Sequence, residues 1–340
     1  MVSIIPQRFF SGQVGVIESR GQKYSIFNPQ GKPVFINCDG VGTKTEFYER
    51  RHMEGRAVDD LLAMNLDDTS KKGAQAQVVV GLLEHNWNAG TIPQKVAHQF
   101  KRRMKELGIM GVVESKDVNW RIEGYHSGKA FNLDGAVVST IDEERLKNPL
   151  QSSAGDHLIA IWGAPNPRSN GITLRRRIME DKGHAWHYNK QYQDVRDFLS
   201  TPSTIFYPVF ERLIQEELVT NVTHLSGGSW KGKVAVPLAA QELYVSVTDL
   251  PALCGAERKL AAWSGKSAEA LYESWPMGVE GLVSAQPGYE NKAIDMIRRS
   301  GLNACVVGQL VNATPENSGV RLQTFNGEEV YFSGRVEERK

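Results

Sequence analysis

Hydrophobic and polar positions alternate in blocks along this chain, and each block has the period of one element. Val34-Phe35-Ile36 is a short apolar run that breaks into Cys38-Asp39-Gly40, which predicts a strand followed by a turn. Arg56 to Lys72 carries apolar residues at Val58, Leu61, Leu62, Met64 and Leu66, the spacing of a helix. Gln77 to Leu83 reads as a buried strand, and Thr91 to Leu107 as a helix with Pro93 in its first turn. Ile109 to Val113 and Gly135 to Ile141 read as strands. Asn148-Pro149 and the stretch to Gly155 break the pattern, which places a domain boundary there, dividing 1–150 from 151–340.

The second half repeats the alternation. Strands are expected at Leu158 to Trp162, Val222 to Leu225, Gly281 to Ala285 and Ala304 to Val311. Helices are expected at Ile172 to Glu180, Thr204 to Glu217 behind Pro202, Ala268 to Ser274 and Tyr289 to Ser300. Gly163 to Asn170 is a loop, Gly183 to Asp197 a polar and aromatic surface excursion, and Leu250 to Gly255 a turn region. Val320 to Arg335 alternates like a hairpin. Strands and helices interleaved in this way define an α/β or α+β chain of two domains. No internal repeat and no low-complexity segment interrupts it.

Composition agrees with a folded domain pair. The 340 residues are 41% hydrophobic and 23% charged, close to the globular average. A net charge of +1 provides no long-range field for a nucleic acid or a membrane surface. Lys101-Arg102-Arg103 and Arg175-Arg176-Arg177 lie in helical stretches and read as solvated faces. Cys38, Cys254 and Cys305 are widely spaced in or near apolar runs, which suggests buried free thiols in a reducing cytoplasm. Met1 to Phe10 lacks the apolar core of a signal peptide, and no apolar run reaches the roughly 18 residues of a membrane span.

The segment with most chemistry is Asn37-Cys38-Asp39-Gly40-Val41-Gly42-Thr43-Lys44-Thr45. Glycines after a strand let backbone amides approach a phosphate, and threonine and lysine add a hydroxyl and a cation. The spacing is neither a Walker A loop nor GxGxxG. A plain glycine turn with a solvated lysine remains the competing reading. Asp67-Asp68 is either an acidic site or a solvated helix edge, and Glu114 closes a predicted strand. Asp39, Asp68 and Glu114 are the hard oxygen ligands that Mg²⁺ prefers, should the fold bring them together. His184, Trp186, His187 and Tyr188 read as an exposed loop, and His224 as either a satisfied core histidine or a site residue. The chain lacks GxSxG and HExxH motifs, and its seven tryptophans are too scattered for a base-stacking platform.

The order of several motifs carries more than any one of them. Asp39-Gly40-Val41-Gly42-Thr43-Lys44 resembles the DGVGTK signature of aminoimidazole ribonucleotide synthetases, and Ala63-Met64-Asn65-Leu66-Asp67-Asp68 their AMxxND segment, with Gly73-Ala74 at the matching offset. Ser169-Asn170-Gly171 resembles their HSNG turn, Thr201-Pro202 and Ile205 a helix start, and His224-Leu225-Ser226-Gly227-Gly228 their HLTGGG turn. Gly278-Val279, Gly281 and Pro287, then Val307-Gly308, continue the series. Selenophosphate synthetase, thiamine-phosphate kinase and formylglycinamidine synthetase share the ATP scaffold.

The resemblance implies a PurM-like subunit. Its N-terminal sheet-and-helix domain would bind ATP and dimerise, and its C-terminal domain would be α/β. It implies ATP and Mg²⁺ as cofactors and cyclisation of formylglycinamidine ribonucleotide as the reaction, in a cytoplasmic homodimer. Asp39, Gly40, Gly42, Thr43 and Lys44 would take the ATP phosphates, and Asp39, Asp68 and Glu114 the metal. Asp68, Arg168 and His224 would be catalytic, and Ser169, Asn170, Gly171, Ser226, Gly227 and Gly228 would hold substrate.

The chain also departs from the pattern. Ser11-Gly12-Gln13-Val14-Gly15 is a faint counterpart of the family's glycine-rich N-terminal segment, and Lys23 and Lys32 are the lysines on hand to replace its own. Arg168 stands where the family has the histidine of HSNG; it suits a phosphate but cannot be a general base. Val112-Val113 replace the glycines of GGET, and Ser203-Thr204 replace a threonine-arginine pair. Three readings follow: an active cyclo-ligase with rearranged phosphate contacts, the same ATP chemistry on another amide or amidine, or a non-catalytic nucleotide-binding paralogue.

Overall fold

The computed structural model describes residues 13–19, 22–28, 33–86, 89–118, 131–314 and 317–334. Met1 to Gly12 and Lys32, on which the N-terminal expectations fell, lie outside them. In chain order the first half runs β1 (Gln13–Ser19), β2 (Gln22–Asn28), β3 (Val34–Gly40), α1 (Lys44–Glu49), α2 (Ala57–Ser70), β4 (Gln75–His85), α3 (Ile92–Leu107), β5 (Met110–Asp117), β6 (Phe131–Thr140) and α4 (Glu143–Lys147). The second half runs β7 (His157–Trp162), α5 (Ile172–Glu180), α6 (Gln193–Leu199), α7 (Tyr207–Gln215), β8 (Asn221–His224), a π-helix (Trp230–Ala235), α8 (Val236–Ala239) and β9 (Leu243–Val247). It continues with α9 (Gly255–Ser264), α10 (Ala268–Ser274), β10 (Gly281–Ala285), α11 (Glu290–Arg299), β11 (Asn303–Gln309), β12 (Val311–Asn312), β13 (Gly319–Gln323) and β14 (Glu329–Ser333).

Among the described residues the strands form three sheets: β1-β2-β3-β6-β4-β5, then β11-β7-β10-β8, then β12-β9-β13-β14. The first sheet takes its strands from before residue 141, and the other two take theirs from after residue 156. This is the mixed α/β architecture that the alternation of blocks predicted.

One face of the first sheet is covered and the other is open. Along β4, Val79 and Leu83 are buried while Val80 and Leu82 are 40% and 37% exposed, the two-residue period of a strand with one wet face. The covering layer is α2 and α3. Val58, Leu61, Leu62 and Leu66 of α2 are fully buried, and α3 presents Ile92, Val96, Phe100 and Met104 as one stripe at four-residue spacing. Pro93 opens α3 and Gly108, at φ 67°, closes it. The second sheet buries both faces: Leu158, Ala160 and Leu282 pack into one core, and Ile159, Ile161 and Val283 into another.

Several expectations are corrected. α7 begins at Tyr207 rather than Thr204, because the carboxylate of Asp67 accepts from the amides of Phe206 and Tyr207 at 2.8 and 2.9 Å and fixes the first turn there. The excursion before Asp197 is packed rather than superficial: Trp186 is 3% exposed, Val195 is fully buried, and α6 begins within it. Arg175 is no solvated cation: it is fully buried and donates to Glu257 at 3.0 Å and to two backbone carbonyls. Cys38 is exposed and Cys254 and Cys305 are half-buried, so the expectation of buried thiols does not hold.

Candidate active site

The cleft between the first sheet and the second is where the motif residues meet. β3 delivers Asp39 at its end. The α2 terminus delivers Asp67 and Asp68, which stand about 100° apart on the helix and so face different ways. The Asp67 side chain turns inward and is fully buried; that of Asp68 is 19% exposed and faces the cleft. β8 ends at His224 and hands on to the Ser226-Gly227-Gly228 loop, and the π-helix after it carries Lys233. Thr43 of the glycine loop reaches Thr173 on α5, Oγ1 to Oγ1, at 3.3 Å. The Asn170 amide donates to the Ser226 carbonyl at 2.8 Å and ties the two substrate-side loops together. Gly171 is at φ 60°, and a Cβ there would fall 2.3 Å from the Trp275 ring, so glycine is required. The Ser169 hydroxyl is buried without a hydrogen-bond partner.

Behind the cleft lies a buried relay. The Arg168 side chain is 1% exposed at a backbone φ of 52°. Its guanidinium donates to Asp67 Oδ2 at 3.1 Å, to the Thr204 carbonyl at 2.6 Å and to His224 Nδ1 at 2.7 Å. Arginine has no lone pair to offer, so His224 Nδ1 must accept. The ring proton therefore sits on Nε2, which donates to Asp68 Oδ1 at 3.1 Å. Burial lowers His224 to about 4, against the pull of Asp68, so the imidazole is neutral. Burial would raise the Asp68 carboxyl, yet His224, Lys71 and Lys233 together hold it well below the usual carboxylate range. Lys71 Nζ lies 2.9 Å and Lys233 Nζ 3.7 Å from Asp68 Oδ1. Asp39 is pushed up by burial and by facing Asp68, with the Gly40 amide opposing.

Three expected site residues are placed elsewhere. Lys44 points away from the phosphate loop: it is fully buried and its Nζ lies 2.8 Å from Asp60 Oδ1. Tyr48 and Ser203 also donate to Asp60, so the ammonium and carboxylate form a closed internal pair. Arg168 faces the core, where its contacts leave the guanidinium no path to a phosphate. Glu114 stands apart from the other acids. Gly40, Asp134, Leu82 and Glu114 lie in one cross-strand row, so they share the open face of the sheet. Asp39, one residue from Gly40, points to the opposite face, about 14 Å of strand spacings away. Among the described residues no three His, Cys, Asp or Glu side chains gather as a metal site. Asp39 and Asp68, which face each other, are the two acids that could hold a Mg²⁺ ion together with phosphate oxygens, and Glu114 does not join them.

Sequence reasoning missed Asp60, Asp67 as a cap, and the lysines Lys71, Lys72 and Lys233. Only Lys71-Lys72, directly after the acidic pair, left a visible signal.

The fold belongs to the PurM-like class. It matches the hydrogenase maturation protein HypE, solved in complex with ATP, at a TM-score of 0.60 and 14% identity over 90% of this chain and 86% of that one. It matches thiamine-monophosphate kinase from Stenotrophomonas maltophilia K279a at 0.58 and 12% identity over 92% of each chain. In sequence the chain is a divergent relative of the phosphoribosylformylglycinamidine cyclo-ligases, the aminoimidazole ribonucleotide synthetases. It is 26% identical to the enzyme of Nitrosococcus oceani over 326 residues, covering 92% of this chain and 87% of that protein. It is 23% identical to that of Methanocaldococcus jannaschii, covering 83% and 79%. No protein-family model matches the chain.

Proposed function

We propose that this protein is an ATP-dependent cyclo-ligase that closes formylglycinamidine ribonucleotide to aminoimidazole ribonucleotide. The observation that carries the reading is convergence: Asp39 faces Asp68, Asp68 meets His224, and Ser226 beside His224 accepts from Asn170, so segments up to about 190 residues apart meet at one place in a chain related to cyclo-ligases along nearly its whole length.

In this reaction the γ-phosphoryl group of ATP passes to the formyl oxygen and ADP leaves. The amidine nitrogen attacks the activated formyl carbon and loses its proton, and the C–O bond breaks to release phosphate as the ring forms. The protein must neutralise the transferring phosphoryl group and hold the two reacting atoms together. Magnesium bound with ATP would offset charge on the β- and γ-phosphates, and Asp39 and Asp68 are the oxygen ligands the cleft provides. Of the two glycines it is Gly42 that would admit phosphate oxygens to the backbone: it stands at φ 60° with no atom near where a Cβ would lie, whereas the Gly40 amide already donates to Asp39 Oδ1 at 2.8 Å. His224 and Arg168 act as positioning residues. Neither ring nitrogen of His224 is available as a base, and their joint effect is to orient Asp68. Ser226, Gly227, Gly228, Asn170 and Gly171 form the substrate wall.

The open sheet face carries Ile36, Val80, Leu82, Met110 and Val112, at 40%, 40%, 37%, 70% and 56% exposure. A contiguous apolar face of this kind marks an interface, and we assign it to a second copy of the chain. Glu114 lies on that face, so dimerisation would place it against the partner.

The test is substitution at the two acids. Asp39→Ala and Asp68→Ala are each expected to cut turnover by about 100-fold or more, the order of a lost charge-stabilising contact. Turnover that survives both substitutions removes the cleft from the mechanism.

A further inference from the structure

One buried carboxylate outside the cleft touches the relay from behind. Glu280 stands immediately before β10 and is 3% exposed. Its Oε1 accepts from the Gly163 amide at 2.7 Å. Its Oε2 accepts from the Asn166 side chain at 2.7 Å and from the Thr204 amide at 3.4 Å, and lies 3.8 Å from Arg168 Nη1. A carboxylate has lone pairs for all of these donors, and a hydrogen bond to an ionised acceptor is stronger than a neutral one.

These contacts gather the two segments that hold Arg168. Asn166, bound to Glu280 through its Nδ2, accepts the Arg168 backbone amide on its Oδ1 at 2.8 Å. Thr204, bound to Glu280 through its amide, accepts the guanidinium on its carbonyl oxygen at 2.6 Å. Arg168 stands at φ 52°, a left-handed backbone that a residue other than glycine keeps only where its surroundings over-determine it. The Glu280 side chain supplies that restraint.

The backbone of the same residue fixes the histidine end of the relay. The Glu280 carbonyl accepts from the amide of Leu225, next to His224, at 2.8 Å, and the Glu280 amide donates to the Ile161 carbonyl at 3.0 Å. Across the pairing of β8 with β10, His224 lies opposite Gly281. Both partners of the Arg168–His224 contact are therefore placed by one residue, the arginine through its carboxylate and the histidine through its peptide groups. A side-chain substitution at Glu280 releases the arginine and leaves the histidine strand in register.

We propose that Glu280 is a third positioning residue of the site: its carboxylate seats Arg168 on His224 Nδ1 and, through His224, aims Asp68 into the cleft. The inference rests on the cyclo-ligase reading for what Asp68 then does. The seating of Arg168 is measured without turnover, so the two fail separately.

The experiment is nitrogen NMR of the full chain, isotope-labelled in its histidine rings, with the His224 signals identified by their loss in His224→Gln. In the wild type, Nδ1 is expected to resonate as an unprotonated, hydrogen-bonded nitrogen and Nε2 as a protonated one. In Glu280→Ala, Nδ1 is expected to move to the position of an unprotonated nitrogen without a donor, while Nε2 keeps its proton toward Asp68. Glu280→Gln, which keeps an acceptor for only one of the two sides, is expected to fall between. Turnover of Glu280→Ala is expected to drop about tenfold or more, the scale of a displaced positioning contact. Should Glu280→Ala fail to fold, Asn166→Ala carries the same test, since it cuts the tie to the Arg168 backbone and leaves the carboxylate its contacts with Gly163 and Thr204. A folded variant that melts lower yet keeps the wild-type Nδ1 signal overturns the proposal, because Glu280 would then serve stability alone. A shifted Nδ1 signal with undiminished turnover overturns the link to Asp68. A shifted signal in a chain without cyclo-ligase turnover supports the seating of Arg168 and removes the cyclo-ligase reading alone.

Discussion

Arg168 donates to His224 Nδ1 across 2.7 Å, and that contact decides which imidazole nitrogen carries the proton. With Nδ1 accepting, Nε2–H can only donate, and it donates to Asp68. A histidine that the family resemblance offers as catalytic is thereby made a neutral clamp on a carboxylate.

The clamp has a pH signature. His224 titrates near 4 when folded and near 6.5 when free. Between those values the unfolded chain holds a proton that the folded chain does not, so stability rises with pH across the window. The contribution is complete above about 6.5 and is lost on acidification toward 4, an upper figure of about 3 kcal/mol. Urea titrations of the wild type and His224→Gln at pH 4.5 and 7.5 check this. The variant is expected to lose less stability on acidification; an equal loss in both removes His224 as the titrating group.

Lys44 is expected to act on stability rather than on nucleotide affinity. Lys44→Met leaves Asp60 buried without its counter-ion, a loss of about 3–5 kcal/mol for a broken internal pair. The double variant Lys44→Met/Asp60→Leu is expected to recover part of it, since an apolar pair of similar volume costs less than a lone charge. Thermal melts measure both. A single variant with an unchanged melting point and weakened ATP binding would restore lysine to the phosphate site.

The apolar sheet face predicts an oligomer. Val80→Asp places a carboxylate amid Ile36, Leu82 and Val112 and is expected to convert a dimer to a monomer with the fold retained. Sedimentation velocity reads the outcome. A wild type that sediments as a monomer contradicts the assigned interface.

The sequence made the local parts of this account legible. The stripe Ile92, Val96, Phe100 and Met104 announces α3 because a helix repeats every 3.6 residues, and the strands at 158–162 and 281–285 stand out as apolar runs. Contacts between distant segments left no such mark. Asp67 caps α7 from about 140 residues away, so the helix start at Tyr207 is invisible in its own neighbourhood. Lys44 in a glycine loop reads as a phosphate ligand until Asp60, one helix later, is seen to hold it. Glu114 reads in the sequence as the end of a strand, like Asp39, but β5 runs on to Asp117, and the order β3-β6-β4-β5 and the alternation of faces separate the two acids; none of this is encoded locally.

The most direct measurement is the reaction itself: purified protein with ATP, Mg²⁺ and formylglycinamidine ribonucleotide, followed for ADP and aminoimidazole ribonucleotide together. The account predicts the two products in equal amounts, with both lost in Asp68→Ala. ATP binding without aminoimidazole product contradicts it, and the cleft would then belong to another amide substrate or to a protein that binds nucleotide without turning it over.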